Sequence, residues 1–411
     1  MTRGLALLLA LLVLAACRDE DKHTANPAGL SEADLTRLHM LGYEPWVEET
    51  PVPGRKTGLV SSQPDRVSLG YTLFASRGAR QAYLLAPDGA VAHRWHAPKG
   101  DGFWSDTALL KDGTLLVVGA TSDEFEDQPT ARYLRALDWS SKIVWQADFP
   151  AHHDVELTPN GDLLALTFAD RQVERHGKPA WIVDDRVVVA SPEGHKQQEY
   201  SLFDVFTASP DTGKMRWPRT RAKRDGHSVI DVFHANSVQW IVAGDRAGTH
   251  PIFADGNILV SIRHQDIIGV IDPRQRRFVW TWGRDELQGP HHARLLDSGN
   301  IIVFDNGIKR RSSRVVEMDP RSGKIVWQYS GADANKFFTI GGGSGERLPN
   351  GNTLVAATAE GRIFEVTPAG EVVWQFVNPI DKAQRRGTIH AATRVPVDVV
   401  DPILAAHRGA S

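Results

Sequence analysis

The stretch Gly289 to Gly307, GPHHARLLDSGNIIVFDNG, reads as two β-strands joined by a tight turn. HHARLL is one strand, Ser298-Gly299 is the turn, and NIIVFDN runs back. The turn dipeptide favours the positive φ that a two-residue hairpin needs. Ile301, Ile302, Val303 and Phe304 are β-branched or aromatic, so the return strand suits burial on both faces. Paired histidines open the stretch and Asp-Asn-Gly closes it. A hairpin goes out and comes back, so both polar ends fall at one edge.

Outward from this hairpin the same pattern recurs. A turn followed by an apolar strand appears as GYTLFAS from Gly70, DGTLLVVGA from Asp112, NGDLLALTFA from Asn160, DGNILVSIR from Asp255, SGNIIVFDN from Ser298 and NGNTLVAAT from Asn350. A second unit, a turn and a strand ending in an aromatic, ends at Trp95, Trp145, Tyr200, Trp280, Trp327 and Trp374. Each unit occurs six times and the two alternate strictly. The expected fold is therefore all-β, a six-bladed β-propeller over residues 66–396, each blade four strands with an outer aromatic packed between neighbours. The first unit lacks an inner strand before it, and TIHAATRVP after Trp374 lacks a partner. Ring closure follows: residues 388–395 supply the inner strand of the first blade. Two insertions interrupt the repeat, the acidic loop Thr121 to Thr130 and an enlarged third blade carrying the basic run Arg219 to Asp225.

The ends of the chain are of another kind. Residues 1–16 read as a lipoprotein signal peptide: Arg3, then an apolar run from Leu5 to Leu14 too short to span a bilayer, then Leu14-Ala15-Ala16-Cys17. That ending resembles the bacterial lipobox, which implies cleavage before Cys17 and lipidation of its thiol. Cys17 is the single cysteine, so the mature chain has no disulfide and no cysteine-ligated metal. The expected location is the periplasm, anchored by lipid to a membrane, with the outer membrane favoured because Arg18 and not Asp follows the cysteine. Residues 17–65 read as a tether, with a capped helix over Ser31 to Leu41, and 397–411 as a C-terminal tail. A net charge of -3 over 411 residues gives no case for nucleic acid as a partner.

Polar groups converge at one mouth of the ring. His153 and His291 each lie eight residues before a turn glycine, Gly161 and Gly299, which sets them at one height. His234 in DVFHANSVQW is expected at the corresponding place within the enlarged third blade, with an extra loop lengthening its distance to Gly256. Asn236 is two residues on and shares its strand face. His390 in the closing strand is a further candidate. Arg263 ends NILVSIR, and Asp305 and Asn306 end NIIVFDN at the same face. His152 and His292 point the other way and are expected to be structural. There is no serine-nucleophile motif, no phosphate-cradling glycine loop and no paired-carboxylate signature. Three histidines can hold a metal, but an adjacent arginine repels a cation. Arginine, neutral histidine and an amide better suit a tetrahedral oxyanion such as sulfate or phosphate, and a neutral histidine there can act as nucleophile.

At these residues the sequence resembles the bacterial arylsulfate sulfotransferases. The sharpest matches are HHDVELTPNG from His152, DVFHANSVQW from Asp231, NILVSIRHQD from Asn257 and GPHHARLLDSGNIIVFDNG. The resemblance implies sulfuryl transfer from a phenolic sulfate ester to a phenol, with no nucleotide donor, through a transient sulfohistidine. It implies that His291 is the nucleophile, that His234 and Asn236 hold sulfuryl oxygens and assist proton transfer, that Arg263 clamps the sulfuryl group, and that His153 stands opposite. His390 and Asn306 are expected to bind substrate. No cofactor and no metal is expected. The chain departs from better-known members in lacking a disulfide, in Pro290 before the nucleophile, and in its enlarged third blade. Two other readings remain: a quinoprotein, since DPRSGKIVWQY looks like the tryptophan-docking repeat of pyrroloquinoline-quinone dehydrogenases, and a non-enzymatic scaffold lipoprotein.

Overall fold

The second strand of each repeat is the most apolar, and it is the one that becomes buried on both faces. In the computed structural model, which describes residues 46–48, 56–121, 131–218, 221–224, 226–332, 336–380 and 385–408, every residue of Leu115–Ala120, Ile258–Ile262, Ile301–Asp305 and Thr353–Ala357 is buried. The signal peptide, Cys17 and the helix expected at Ser31 to Leu41 lie outside the described residues, as do most of the acidic loop and part of the basic run.

Six sheets, antiparallel but for one pairing in blade 3, form the ring of a β-propeller. Closure is as expected from the sequence: Ile389–Val395 pairs with Tyr71–Ser76 and completes blade 1 with Gln81–Leu85 and Val91–His96. Blade 2 starts at Trp104–Leu109, blade 3 at His152–Leu157, blade 4 at Ala235–Trp240, blade 5 at Pro290–Leu295 and blade 6 at Ser344–Arg347. His234 therefore leads into blade 4, not blade 3 as the sequence suggested, because the insertion before it belongs wholly to blade 3.

The cores lie between blades. Leu73 and Leu84 meet Leu115 and Val117 across blades 1 and 2, and Phe304 meets Val355 and Phe364 across blades 5 and 6. Each such side chain contributes about 1.5–3 kcal/mol on burial. Two outer tryptophans bridge neighbours by hydrogen bonds as well: Trp327 Nε1 donates to Pro368 O at 2.9 Å and Trp374 Nε1 to Pro87 O at 3.1 Å.

Three segments depart from expectation. In blade 3, Leu163–Arg175 and Lys178–Ala190 form a hairpin of two 13-residue strands, and Trp181–Val183 pairs in parallel with Val229–Asp231. The insertion is thus a widened sheet ending at the residues that enter blade 4. The stretch read as a tether is in part fold, since Gly58–Ser62 pairs with Val372–Val377 as a fifth strand of blade 6. The expected tail is a helix, Val397–His407, whose Val400 joins the blade 1–2 core.

Candidate active site

Cross-blade hydrogen bonds set the heights of the inner strands. Val238 N donates to Asp154 Oδ2 at 2.9 Å, Ala293 N to Ser237 Oγ at 3.0 Å and Ala392 N to Ser344 Oγ at 3.2 Å. Two residues on, Trp240 N donates to Glu156 Oε2 at 3.0 Å, Leu295 N to Gln239 Oε1 at 2.5 Å and Arg394 N to Glu346 Oε2 at 2.9 Å. The alternating polar residues of these strands therefore staple blade to blade. Counted from these bonds, Asp154, Ser237, His292, Ser344 and Ala391 share one tier. The residues just before them, His153, Asn236, His291, Gly343 and His390, share the tier above.

A small cavity lies where the tiers meet. The upper tier lines it with His153, Asn236, His291, Gly343 and His390, and the lower tier with Asp106, Asp154, His292 and Ala391. His153 and His390 have ring centroids 5.8 Å apart, and His291 and His390 6.1 Å. The sequence thus brings four of its candidates to one cavity, with one exchange: Asn236, not His234, is the positional equivalent of His153 and His291. His292 also reaches the cavity, contrary to the alternation rule. The inner strands bulge between His291 and Arg294 and between His152 and Val155, and His153, His234 and His292 adopt φ of 64°, 52° and 51°. A bulge re-aims side chains that strict alternation would turn away.

His291 is held in one protonation state. Asn306 Nδ2 donates to Thr339 O at 2.7 Å and Gly342 O at 2.9 Å, which turns its Oδ1 toward His291. An amide oxygen only accepts, so the His291 Nδ1–H donates to Asn306 Oδ1 at 2.5 Å, with Gly289 O at 3.1 Å as a second acceptor. Nε2 then carries the lone pair, and Gly342 N donates to it at 3.2 Å. Burial, then the charge of Arg263 and the neighbouring His390 and His234, hold the His291 pKa well below the usual histidine range. Burial and the surrounding histidines do the same to His153, and burial with Arg77 takes His390 down to about 3. The ring of imidazoles is neutral at pH 7. Asn306 is fully buried and all its bonds here are to protein, so it positions His291 from behind and does not face the cavity where substrate binding was expected.

Gly342 and Gly343 make the close approach possible. A Cβ on Gly343 would stand 2.4 Å from Phe304 Cε1, and one on Gly342 would stand 2.6 Å from Thr358 Oγ1 and 2.8 Å from His390 Cδ2. Both have φ that side chains disfavour, 101° and 68°.

His234 lies on the far side of His153, ring centroids 5.1 Å apart, in an adjoining cavity with Arg132, His152, Phe168, Arg224 and Asp231. Its Nδ1 bonds Asp231 Oδ2. Burial lowers the His234 pKa while the Asp231 carboxylate pulls it back up. Burial acts to raise Asp231, but His234 and His264 together hold it well below the carboxylate range. Arg263 lines neither cavity. It is buried behind His291, with Nη2 donating to Ile340 O at 3.0 Å and Nη1 to His264 Nε2 at 3.2 Å. Asn236 Nδ2 donates to Pro290 O at 2.8 Å, and its Oδ1 is a buried acceptor with no partner.

Sequence reasoning passed over Asp231, His264 and the true role of Asn306. Asp231 stands three residues before His234 and His264 directly follows Arg263, which were the available signals. Asp231, His234 and His264 have ligand atoms within 4.8 Å of one another, the spacing of a small metal site. In this structure His264 Nδ1 faces the Asp231 backbone oxygen at 2.7 Å and donates to it.

Fold and cavity define a β-propeller with neutral imidazoles from several blades gathered at one cavity. A family model described as Arylsulfotransferase (ASST) matches residues 127–379, more than half of the chain. The chain belongs to the arylsulfotransferase family, and that membership supports an arylsulfotransferase-type function on small aryl sulfates and phenols. No curated protein matches the sequence. Among solved structures, a protein of unknown function from Bacteroides caccae is similar with a TM-score of 0.50 at 14% identity, over 80% of this chain and 99% of that one. A functionally unknown protein from Desulfotomaculum acetoxidans gives 0.44 at 13% identity over 79% and 99%, and a streptogramin B lyase 0.42 at 10% over 81% and 87%. At these identities the first likeness is one of fold alone.

Proposed function

We propose that the chain moves a sulfuryl group from a phenolic sulfate ester to a phenol by a two-step exchange through a sulfohistidine at His291. The observation that carries this reading is the His291 ring itself: neutral, proton fixed on Nδ1, lone pair on Nε2 at the cavity wall. In the first step Nε2 leaves its bond from Gly342 N–H and attacks sulfur with the freed lone pair, the S–O bond to the aryl oxygen breaks, and the electron pair leaves with that oxygen. The positive charge arising on the ring falls on Nδ1–H, where Asn306 Oδ1 and Gly289 O receive it. In the second step a phenol oxygen attacks sulfur and gives up its proton, which over the cycle goes to the aryl oxygen released in the first step, the N–S bond breaks, and the pair returns to Nε2. The positive charge of Arg263, which acts on His291 from outside the cavity, favours an anionic ester there at longer range.

The test is 4-nitrophenyl sulfate with and without phenol. The expected result is nitrophenolate release that continues only with phenol present. Absence of release with any phenol, together with a quinone redox spectrum from the purified protein, would overturn the reading in favour of a quinoprotein. We further propose, from the Leu14-Ala15-Ala16-Cys17 sequence, that the chain is lipidated on Cys17 and held to the periplasmic side of a membrane. Palmitate labelling that survives Cys17→Ser would contradict it.

A further inference from the structure

The two residues that sequence reading passed over join the two it selected. Asp231 ends the strand His227–Asp231, which the blade 3 insertion adds to its sheet. Its carboxylate takes the His234 Nδ1–H bond. Its backbone oxygen takes the His264 Nδ1–H bond at 2.7 Å, and His264 Nε2 in turn accepts from Arg263 Nη1 at 3.2 Å. His264 has both nitrogens engaged, Nδ1 by the Asp231 backbone oxygen and Nε2 by Arg263. His234 differs: with Nδ1 bound to a carboxylate, its Nε2 is the nitrogen that gains and loses a proton, and the resulting imidazolium has the Asp231 counter-charge beside it.

We propose that Asp231 is the positioning residue of the reaction: its carboxylate makes His234 the acid–base partner of His291, and its backbone oxygen, through His264, fixes the Arg263 guanidinium. This rests on the sulfuryl-transfer reading above. In the first step the aryl oxygen, as the S–O bond breaks, takes the proton from Nε2 of the protonated His234 ring. In the second step the acceptor phenol gives its proton to the same Nε2 as its oxygen bonds to sulfur and the N–S bond breaks. The proton is returned each cycle, so none is gained or lost overall. The anionic ester bound nearby favours the protonated ring at the start. The blade 3 enlargement then has a purpose in the site, since it delivers Asp231 to the turn that carries His234.

The test is the leaving-group dependence of the first step, read in single turnovers with excess enzyme. The donors are 4-nitrophenyl sulfate, whose phenolate leaves unaided, and phenyl sulfate, whose phenolate needs a proton. Asp231→Asn keeps the shape but removes the carboxylate charge. The expected result is a loss of 10- to 100-fold with phenyl sulfate and under threefold with 4-nitrophenyl sulfate, with Asp231→Glu recovering part of the phenyl sulfate rate. Equal losses on both donors in a folded variant would reduce Asp231 to a structural role and overturn the proposal. If the Asn variant does not fold, His234→Gln, which leaves Asp231 in place, must show the same donor-dependent split; equal losses there overturn the proposal as well. Turnover of both donors by the unaltered protein is the separate control: its absence would remove the sulfuryl-transfer reading itself.

Discussion

Replacing Asn306 by alanine tests how the nucleophile is prepared. The change removes one acceptor from His291 Nδ1–H and two donors, to Thr339 O and Gly342 O, in a fully buried place. Before reaction the His291–Asn306 bond joins neutral groups and is worth about 0.5–1.5 kcal/mol; once the ring becomes cationic it is worth about 1.5–3 kcal/mol. Only the difference, about 1–1.5 kcal/mol, slows the chemical step, which corresponds to about 5- to 15-fold. Gly289 O at 3.1 Å still receives the Nδ1 proton, so the lone pair stays on Nε2 and the loss is not total. Stability falls as well, by about 1–3 kcal/mol for each acceptor left buried without a donor. The assay is the stopped-flow burst of nitrophenolate from 4-nitrophenyl sulfate, run on protein shown folded by circular dichroism. A burst rate within twofold of the unaltered protein would refute the claim that Asn306 supports charge on His291. A loss beyond a thousandfold would refute the assignment of Gly289 O as the second acceptor.

Three further outcomes are expected. Gly342→Ala places a Cβ 2.6 Å from Thr358 Oγ1 and 2.8 Å from His390 Cδ2 at a φ of 68°, so its melting temperature falls by an amount equivalent to about 1–3 kcal/mol and the burst slows because His390 is crowded at the cavity. The burst rate with 4-nitrophenyl sulfate stays flat as pH falls from 8 through 6, because the attacking ring is neutral and its pKa lies well below 6.5; an inflection near 6.5 would contradict this. The protein melts at lower temperature at pH 5 than at pH 7. His153, His234, His291, His292 and His390 have lowered pKa values, so their stabilising contribution is present above 6.5 and lost as pH falls. Glu156 and Glu346, raised to about 7, and Asp106 and Asp184, also raised, act oppositely, being favourable in acid and lost as pH rises, but these five histidines, joined by His93 and His250, outnumber the four carboxyls.

The ring could be read from the chain because each blade repeats a local signal. A turn glycine, an apolar strand and an outer aromatic recur six times, and TIHAATRVP lacked any partner except the first blade. The site was read less well, and the reason is local backbone geometry. Counting residues back from a turn assumes an unbroken strand, and it does place His153 and His291 together. The inner strands of blades 3, 4 and 5 bulge near these residues, so His292 turns inward and His234 reaches the neighbourhood of His153 from two residues outside the tier that Asn236 occupies. The supporting residues were further from reach. Asn306 was placed at the right edge, but its direction depends on the carbonyls of Thr339 and Gly342, 33 and 36 residues away. Asp231 gains its meaning only when the blade 3 insertion is seen as a widened sheet that ends beside His234.

The central claim is that the lone pair on Nε2 of His291 takes up sulfur. Protein mixed with 4-nitrophenyl sulfate without a phenol, quenched at alkaline pH and digested for mass spectrometry, is predicted to carry one sulfuryl group on the peptide containing His291, removable by adding phenol. A sulfuryl group found on His153, His234 or His390, or an unmodified protein after a full nitrophenolate burst, would contradict it.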